Sequence, residues 1–320
     1  MKRFEDVPEP LISFIMYIEN IQGKSPKTAE NYYYDLRAFY RFLKMKFGNV
    51  SSDIEFDKID IMDVDLNLIK KVDLNLIYEY INFLNRERAN VPSSRARKIA
   101  SIRSFFKYLH KSGILEKNPT TELETIKLTK RLPTYFTLDD SISLLSKIDG
   151  KNAVRDYCII TLFLNCGMRL AELVSINITD IRGDTLTVIG KGNKERTIYL
   201  NEACISAIDD YLKIRQTMSA TASDKNALFL SSRNQRISRR TVQHLVEMNV
   251  KKLGLDPRKY TTHKLRHTAA TLMYQAGVDI RALQEILGHE QLSTTEIYTH
   301  ISNEQLKNAV SSNPLADVKK

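Results

Sequence analysis

The 320-residue sequence has no apolar run that approaches the roughly 20 residues a membrane-spanning helix needs. Its first residues, MKRFEDVPEPLISF, mix acidic residues and proline into the apolar stretch, which is atypical of a signal peptide. Glycine and proline are few, at 11 and 8, so the composition is neither fibrous nor disordered. We therefore expect a globular cytoplasmic protein without a membrane anchor.

Cysteine pairs and metal-binding patterns are also missing. Cys158, Cys166 and Cys204 are odd in number and follow no metal or redox spacing, so we expect buried thiols in a reducing compartment. His263 and His267 are four residues apart, a spacing that zinc ligands use. The metalloprotease pattern, however, requires Glu directly after the first histidine, and the residue there is a lysine. The sequence therefore predicts no metal site.

The charge that is present is mostly positive. The net charge is +10 and the isoelectric point about 9.3, which indicates a polyanionic partner only weakly. Its distribution is more informative, because residues 53–79 carry eight acids and three bases while residues 92–113 carry six bases and no acid. Within residues 92–113, Ile99, Ile102, Phe106 and Leu109 form the inward stripe of a predicted helix. A helix without acids is expected to face phosphates, although a solvated helix surface is the ordinary alternative.

The first part of the chain, residues 1–128, is predicted to be a helical domain. Ser25 before Pro26 is a typical helix start, with a capping side chain and then proline at the first helical position. Residues 129–136 are basic, contain Pro133 and are predicted to be a linker, after which Thr137 with Asp140 makes a plausible start for the next helix.

The second part, residues 137–320, is predicted to mix helices with two short strands, Thr185–Ile189 and Arg196–Leu200. Gly190 and Gly192 lie between these strands and indicate a hairpin turn. The fold class is therefore mainly α with a small β-sheet.

Several segments carry residues suited to phosphate chemistry. HKLRH puts His263, Arg266 and His267 on one helix face, where they suit an anionic phosphate. LSTTEIYTH (292–300) contains a capping box, which places Tyr298 just inside a helix start. A tyrosine that merely packs on a helix is the commoner case.

Three further positions have ordinary interpretations when each is taken alone. Arg169 follows a glycine helix end and precedes Glu172 by three residues, as in a simple helix ion pair. Lys191 lies in the predicted turn, as a surface lysine does, and His289 follows Gly288 as a helix-end cation.

Together these segments are not independent. GMRLAEL, VIGKGNKER, HKLRHT and LGHEQLSTTEIYTH, in this order, resemble the tyrosine recombinase (phage-integrase) family, and most closely its bacterial Xer branch. The resemblance covers essentially the whole chain. It implies a helical-bundle (SAM-like) core-binding domain and an α+β catalytic domain, which close as a C-shaped clamp around duplex DNA.

The resemblance also implies a function. The chain would be a site-specific recombinase that cleaves and rejoins DNA through a 3′-phosphotyrosyl intermediate, as in Xer-type resolution of chromosome or plasmid dimers. Integration or excision of a mobile element is the alternative within the family. A type IB topoisomerase and a non-catalytic DNA-binding protein on a decayed recombinase scaffold are the rivals outside it.

The resemblance implies a role for each site residue. Arg169 and Arg266 would hold the scissile phosphate, Tyr298 would attack it, and His263 would assist the deprotonation of the phenol. Lys191 would protonate the 5′-oxygen leaving group and His289 would donate to the phosphate. Glu172 and His267 would support these groups. Arg and Lys then supply the charge that a metal would provide, so neither a metal nor another cofactor is expected.

The sequence and the resemblance also indicate partners for the chain. The predicted DNA-contacting residues are Arg95, Arg97, Lys98, Arg103, Lys107, Arg239 and Arg240. The tail helix with Leu306 and Val310 would dock on a neighbouring subunit in a tetramer on DNA, with a related recombinase as a possible second protein, or would fold back on its own domain. The acidic segment 48–74 looks longer than the connection usual in the family.

Overall fold

A computed structural model describes residues 7–51, 53–126, 134–190 and 194–288. The chain divides into two compact units, Met1–Lys130 and Arg131–Lys320. None of the helices in the described ranges is long and apolar enough to cross a membrane.

The described residues of the first unit form five α-helices. Their bounds are Glu9–Met16 (α1, followed by a π-helical turn at Tyr17–Ile21), Pro26–Lys46 (α2), Leu66–Lys70 (α3), Leu74–Arg86 (α4) and Pro92–Lys111 (α5). The predicted start of α2 is confirmed, because the Ser25 side chain accepts a hydrogen bond from the Thr28 N–H at 3.2 Å. Helix α5 buries the residues expected to face inward, Ile99, Ile102, Phe106 and Leu109.

Residues 48–74, the acidic connection, lie between the long helices α2 and α4 and include the short helix α3. Between α2 and α3 the described part of the segment contains only a short 3-10 turn, Phe56–Lys58. Its apolar residues Ile61 and Val64 are buried in the core of the unit. Its acids lie outward, and Asp57 pairs with Arg88 at 2.8 Å. The segment therefore extends the core and also neutralises neighbouring cations.

The second unit is mixed. Its helices are Leu138–Ser146 (α6), Ala153–Cys166 (α7), Leu170–Ser175 (α8), Glu202–Arg215 (α9), Arg239–Lys252 (α10), Thr262–Gln275 (α11) and Ile280–Leu287 (α12). Its strands are Ile181–Arg182 (β1), Thr185–Ile189 (β2) and Glu195–Tyr199 (β3), in an antiparallel sheet of order β1-β2-β3. The prediction of a mainly helical chain with a small sheet is confirmed.

Local signals mark where α6 begins. Thr137 and Asp140 form the capping box that the sequence indicates. Phe136, the last residue of the predicted linker, is fully buried in the core of the second unit. Its N–H donates to the Thr268 hydroxyl on α11 at 2.9 Å, which ties the start of this unit to the helix that carries the histidines.

The three cysteines are buried free thiols, as expected. The sulfur atoms of Cys166 and Cys204 are 3.6 Å apart, at the end of α7 and the start of α9.

Candidate active site

The described site residues come from two places in the second unit. Arg169 and Glu172 lie at the start of α8, just after α7 ends at Gly167. His263, Arg266 and His267 lie in the first turns of α11. Lys191, His289 and Tyr298 fall outside the described residues.

Glu172 is the centre of the cluster and is only 1% exposed. Its carboxylate accepts hydrogen bonds from the Arg169 backbone N–H at 2.7 Å and from the Arg169 guanidinium at 2.8 Å. It also accepts one from Arg196 at 2.9 Å, and Arg266 lies 4.0 Å away. Burial alone would raise the pKa of Glu172, but the hydrogen bonds from Arg196 and Arg169 outweigh it and lower that pKa. Glu172 therefore stays ionised at neutral pH among three arginines.

The sequence did not identify Arg196 as a site residue, although Arg196 lies in the motif VIGKGNKER. It is on β3 opposite Val188, and the alternation along the strand turns it to the same side as the buried Ile198. A charged residue at an inward strand position was the one signal for it in the sequence. Its side chain is 14% exposed.

The same three arginines hold the end of α12. The last carbonyl groups of a helix have no partner within the helix and carry partial negative charge. Each arginine donates to a different one: Arg169 to Gly288 at 2.8 Å, Arg266 to Leu287 at 2.6 Å, and Arg196 to Ile286. The cluster thus fixes the point at which the chain leaves α12, one residue before His289.

Two glycines let the helix ends approach this closely. Gly167 has φ +57°, and a Cβ there would lie 2.8 Å from a methyl carbon of Leu287. Gly288 has φ +61°, and a Cβ there would lie 2.8 Å from Cδ of Arg196. Any other residue would be strained in this backbone conformation and would also displace its neighbour.

The two histidines form a pair. Their Nε2 atoms are 3.1 Å apart, and their rings meet edge to face. One ring must donate and the other accept, so the neutral pair shares one proton on this bond. The pKa of His263 is lowered by partial loss of hydration and then by the positive charges of Arg266, Lys264 and Arg169. A neutral imidazole at pH 7 can accept a proton.

The arrangement suits a tetrahedral anion that gains charge during a reaction. Arg266 is 4% exposed and held on both sides, whereas the side chain of Arg169 is 34% exposed. Fixed guanidinium groups stabilise developing charge without reorganising, and their fork matches phosphate oxygens. Among the described residues, no group of three His, Cys, Asp or Glu side chains is placed to hold a metal ion.

The predicted DNA-contacting residues lie on α5 and α10. Arg97 and Lys98 both pair with Asp35, which is fully buried on α2. Arg103 donates to the Leu123 carbonyl and, at 3.1 Å, to the Thr125 hydroxyl. The remaining four are half-buried or exposed: Arg95 is half-buried, and Lys107, Arg239 and Arg240 are exposed.

Comparison with known proteins identifies the family of the chain. The sequence profile of the phage integrase family matches residues 135–305. Tyrosine recombinase XerC of Caldanaerobacter subterraneus subsp. tengcongensis is 57% identical, over 97% of this chain and 88% of that protein.

Two solved structures share the fold. The XerH site-specific recombinase bound to a palindromic difH substrate, in its post-cleavage complex, has a TM-score of 0.71 at 22% identity, covering 94% of this chain and 84% of that one. A lambda integrase tetramer bound to a Holliday junction has a TM-score of 0.65 at 19% identity, covering 88% and 76%. Given the extent of the family match and the identity to XerC, the chain belongs to the phage integrase family and is a site-specific tyrosine recombinase of the Xer type.

Proposed function

We propose that this recombinase cuts and reseals duplex DNA at one phosphate held by Arg169 and Arg266, with Tyr298 as the nucleophile. The observation that carries the proposal is the cluster of three arginines around the ionised Glu172. Attack on a phosphodiester builds negative charge on its non-bridging oxygens. Two fixed guanidinium groups favour that state over the ground state.

The other roles follow from the motifs. A free tyrosine has a pKa near 10, so Tyr298 needs a proton acceptor, and the neutral His263 can serve. Lys191 protonates the departing 5′-oxygen and His289 donates to the phosphate, while His267 orients His263. The phenol oxygen forms a bond to phosphorus as the bond to the 5′-oxygen breaks. A 5′-hydroxyl later reverses this exchange, so the bond energy is kept and no metal or nucleotide cofactor is consumed.

The partner is duplex DNA that carries a specific site. The cations of α5 and α10 would contact phosphates, and their affinity should fall with salt. We propose a tetramer on DNA, by analogy with the lambda integrase tetramer, and the closing of the two units around the duplex stays a prediction. The tail residues Leu306 and Val310, outside the described ranges, would link the subunits.

The biological role we propose is resolution of chromosome or plasmid dimers, in the cytoplasm at the nucleoid and in support of chromosome partition. The high identity to a XerC over almost the full length supports it. Excision of a mobile element uses the same chemistry and is the alternative. Mapping the DNA that the protein protects in cells separates the two, since a single chromosomal site is expected for the first.

The chemistry is tested on a nicked duplex that carries the mapped site, from which the cleaved strand diffuses away. The wild-type protein should form a covalent DNA complex, and Tyr298→Phe should form none. Tyr199→Phe, which alters an exposed tyrosine on β3, is the matched control and should react normally. A complex that persists in Tyr298→Phe contradicts the proposal, and efficient relaxation of plasmids without the site would favour a topoisomerase.

A further inference from the structure

Arg196 has no part in the roles described above, yet its side chain connects the sheet to two other elements of the site. From β3 it donates to Glu172 on α8 at 2.9 Å and to the Ile286 carbonyl on α12. Ninety residues separate Arg196 from Ile286 along the chain. No other described side chain of the cluster joins the sheet to both helices.

The Arg196 side chain is committed to contacts within the protein. It is 14% exposed, and its guanidinium is bonded at one end to Glu172 and at the other to the Ile286 carbonyl. Its aliphatic part passes beside Gly288, where a Cβ would lie 2.8 Å from Cδ. The side chain therefore fills the space against the last residue of the α12 cap.

The contact of Arg196 with the end of α12 lies directly before the segment that carries two predicted catalytic residues. His289 is the next residue in the sequence, and Tyr298 follows nine residues later. An error of about 1 Å in the placement of a reacting group can cost about 10²-fold in rate. A group that fixes the start of this segment relative to Glu172 therefore affects the reaction without touching the phosphate.

We propose that Arg196 is a positioning residue for strand cleavage, which acts by fixing the end of α12 against Glu172. The proposal rests on the proposed function of Tyr298. A guanidinium can donate in two directions at once through a rigid plane, whereas an ammonium is a point charge on a flexible stem. Lysine at this position would keep the charge near Glu172 but would reach only one of the two acceptors.

Three variants distinguish the contacts of the Arg196 side chain from its charge as the cause of any effect on cleavage. Arg196→Met removes both contacts, and Arg196→Lys keeps the charge. Arg182→Met, which alters an exposed arginine on the neighbouring strand β1, is the matched control. The single-turnover rate of covalent complex formation is measured on the nicked duplex at saturating DNA, at a temperature where each variant is folded, beside the dissociation constant for the DNA.

In Arg196→Met we expect cleavage to slow by about 10²-fold at unchanged DNA affinity. Arg196→Lys should recover part of this loss, and Arg182→Met should cleave as wild type. A wild-type rate for Arg196→Met at saturating DNA overturns the proposal. Should Arg196→Met fail to fold, the folded Arg196→Lys decides, since a wild-type rate there has the same consequence.

A second substrate tests the route of the effect. Sulfur in place of the bridging 5′-oxygen leaves without protonation, because a thiol has a pKa of about 8.5. This substitution should rescue a variant that acts through Lys191. Arg196→Met should stay slow on it; recovery would mean that Arg196 acts on the turn between β2 and β3 instead of on α12.

The two proposals fail differently. If wild type forms no covalent complex, the function proposed for Tyr298 is wrong. If wild type reacts and Arg196→Met reacts equally fast, only the role of Arg196 is wrong.

Discussion

In the part of the chain that the structure describes, each unit buries one carboxylate among cations, and the two carboxylates have different effects. In the first unit Asp35 on α2 accepts from Ser101 on α5 at 2.8 Å and pairs with Arg97 and Lys98. In the second unit Glu172 accepts from Arg169 and Arg196. Both carboxylates are almost completely buried.

The difference lies in the cations. Arg97 is bonded at one end and its side chain is 49% exposed, so it can still meet a phosphate from solvent. Arg266 is 4% exposed and bonded to two carbonyl groups. Asp35 thus joins two helices and leaves Arg97 accessible, whereas Glu172 fixes its cations in position. The first arrangement suits binding, and the second suits a preorganised reaction site.

Glu172→Gln should have the largest effect, and it tests the difference between Glu172 and Asp35. The change removes the negative charge and leaves buried guanidinium groups without a counter-charge, which costs about 3–5 kcal/mol when a buried pair is broken. Misplacement of the arginines should slow cleavage by more than about 10²-fold. Urea unfolding and single-turnover cleavage measure the two effects, and a fully active Glu172→Gln would show that Glu172 does not hold the site together.

Asp35→Asn should affect stability alone. The loss of charge-assisted hydrogen bonds from α5 should lower the unfolding free energy by about 1.5–3 kcal/mol. The cleavage rate at saturating DNA should not change, because the reacting groups lie in the other unit. Asp210→Asn, in an exposed ion pair on α9, is the control and should leave both quantities unchanged. A cleavage defect in Asp35→Asn would remove the distinction between the two carboxylates.

The pH dependence of cleavage should report the histidine pair. The pKa of His263 lies below its ordinary value of 6.5, so the neutral, proton-accepting form is present at pH 7 and is lost as pH falls through that lowered pKa. The rate should therefore be constant near neutrality and fall only below pH 6.5. His263→Gln should be slower and lack this acid limb. An acid limb centred above pH 6.5 would contradict the assignment.

The smallest effects should come from the exposed cations. Lys107→Gln and Arg239→Gln should each reduce the slope of log affinity against log salt by about 1, because each removes one phosphate contact. Lys58→Gln, in the acidic segment, is the control with no expected change. Unchanged slopes for the first two would place the DNA elsewhere on the protein.

The sequence predicts the features that depend on residues close together in the chain. The cap at Ser25, the capping box at Thr137 and the inward face of α5 depend on residues within a few positions of one another, and all three are confirmed. The pairing of Arg169 with Glu172 is of the same kind, since three residues along a helix start bring the side chains together.

Local sequence patterns could not predict contacts between distant elements. Asp35 and Arg97 lie 62 residues apart, and nothing in the sequence around either residue indicates the other. Arg196 and the end of α12 meet only because the sheet and two helix ends pack together at Gly167 and Gly288. The irregular course of the chain between α2 and α3 likewise depends on burial of Ile61 and Val64 in the core.

The structure of Tyr298→Phe bound to an uncut duplex that carries its site tests the central claim most directly. We predict that one backbone phosphate lies about 3 Å from the guanidinium groups of both Arg169 and Arg266, with residue 298 of the same or a neighbouring subunit against that phosphorus. A complex in which the phosphate at the cleavage position meets neither arginine would contradict the account.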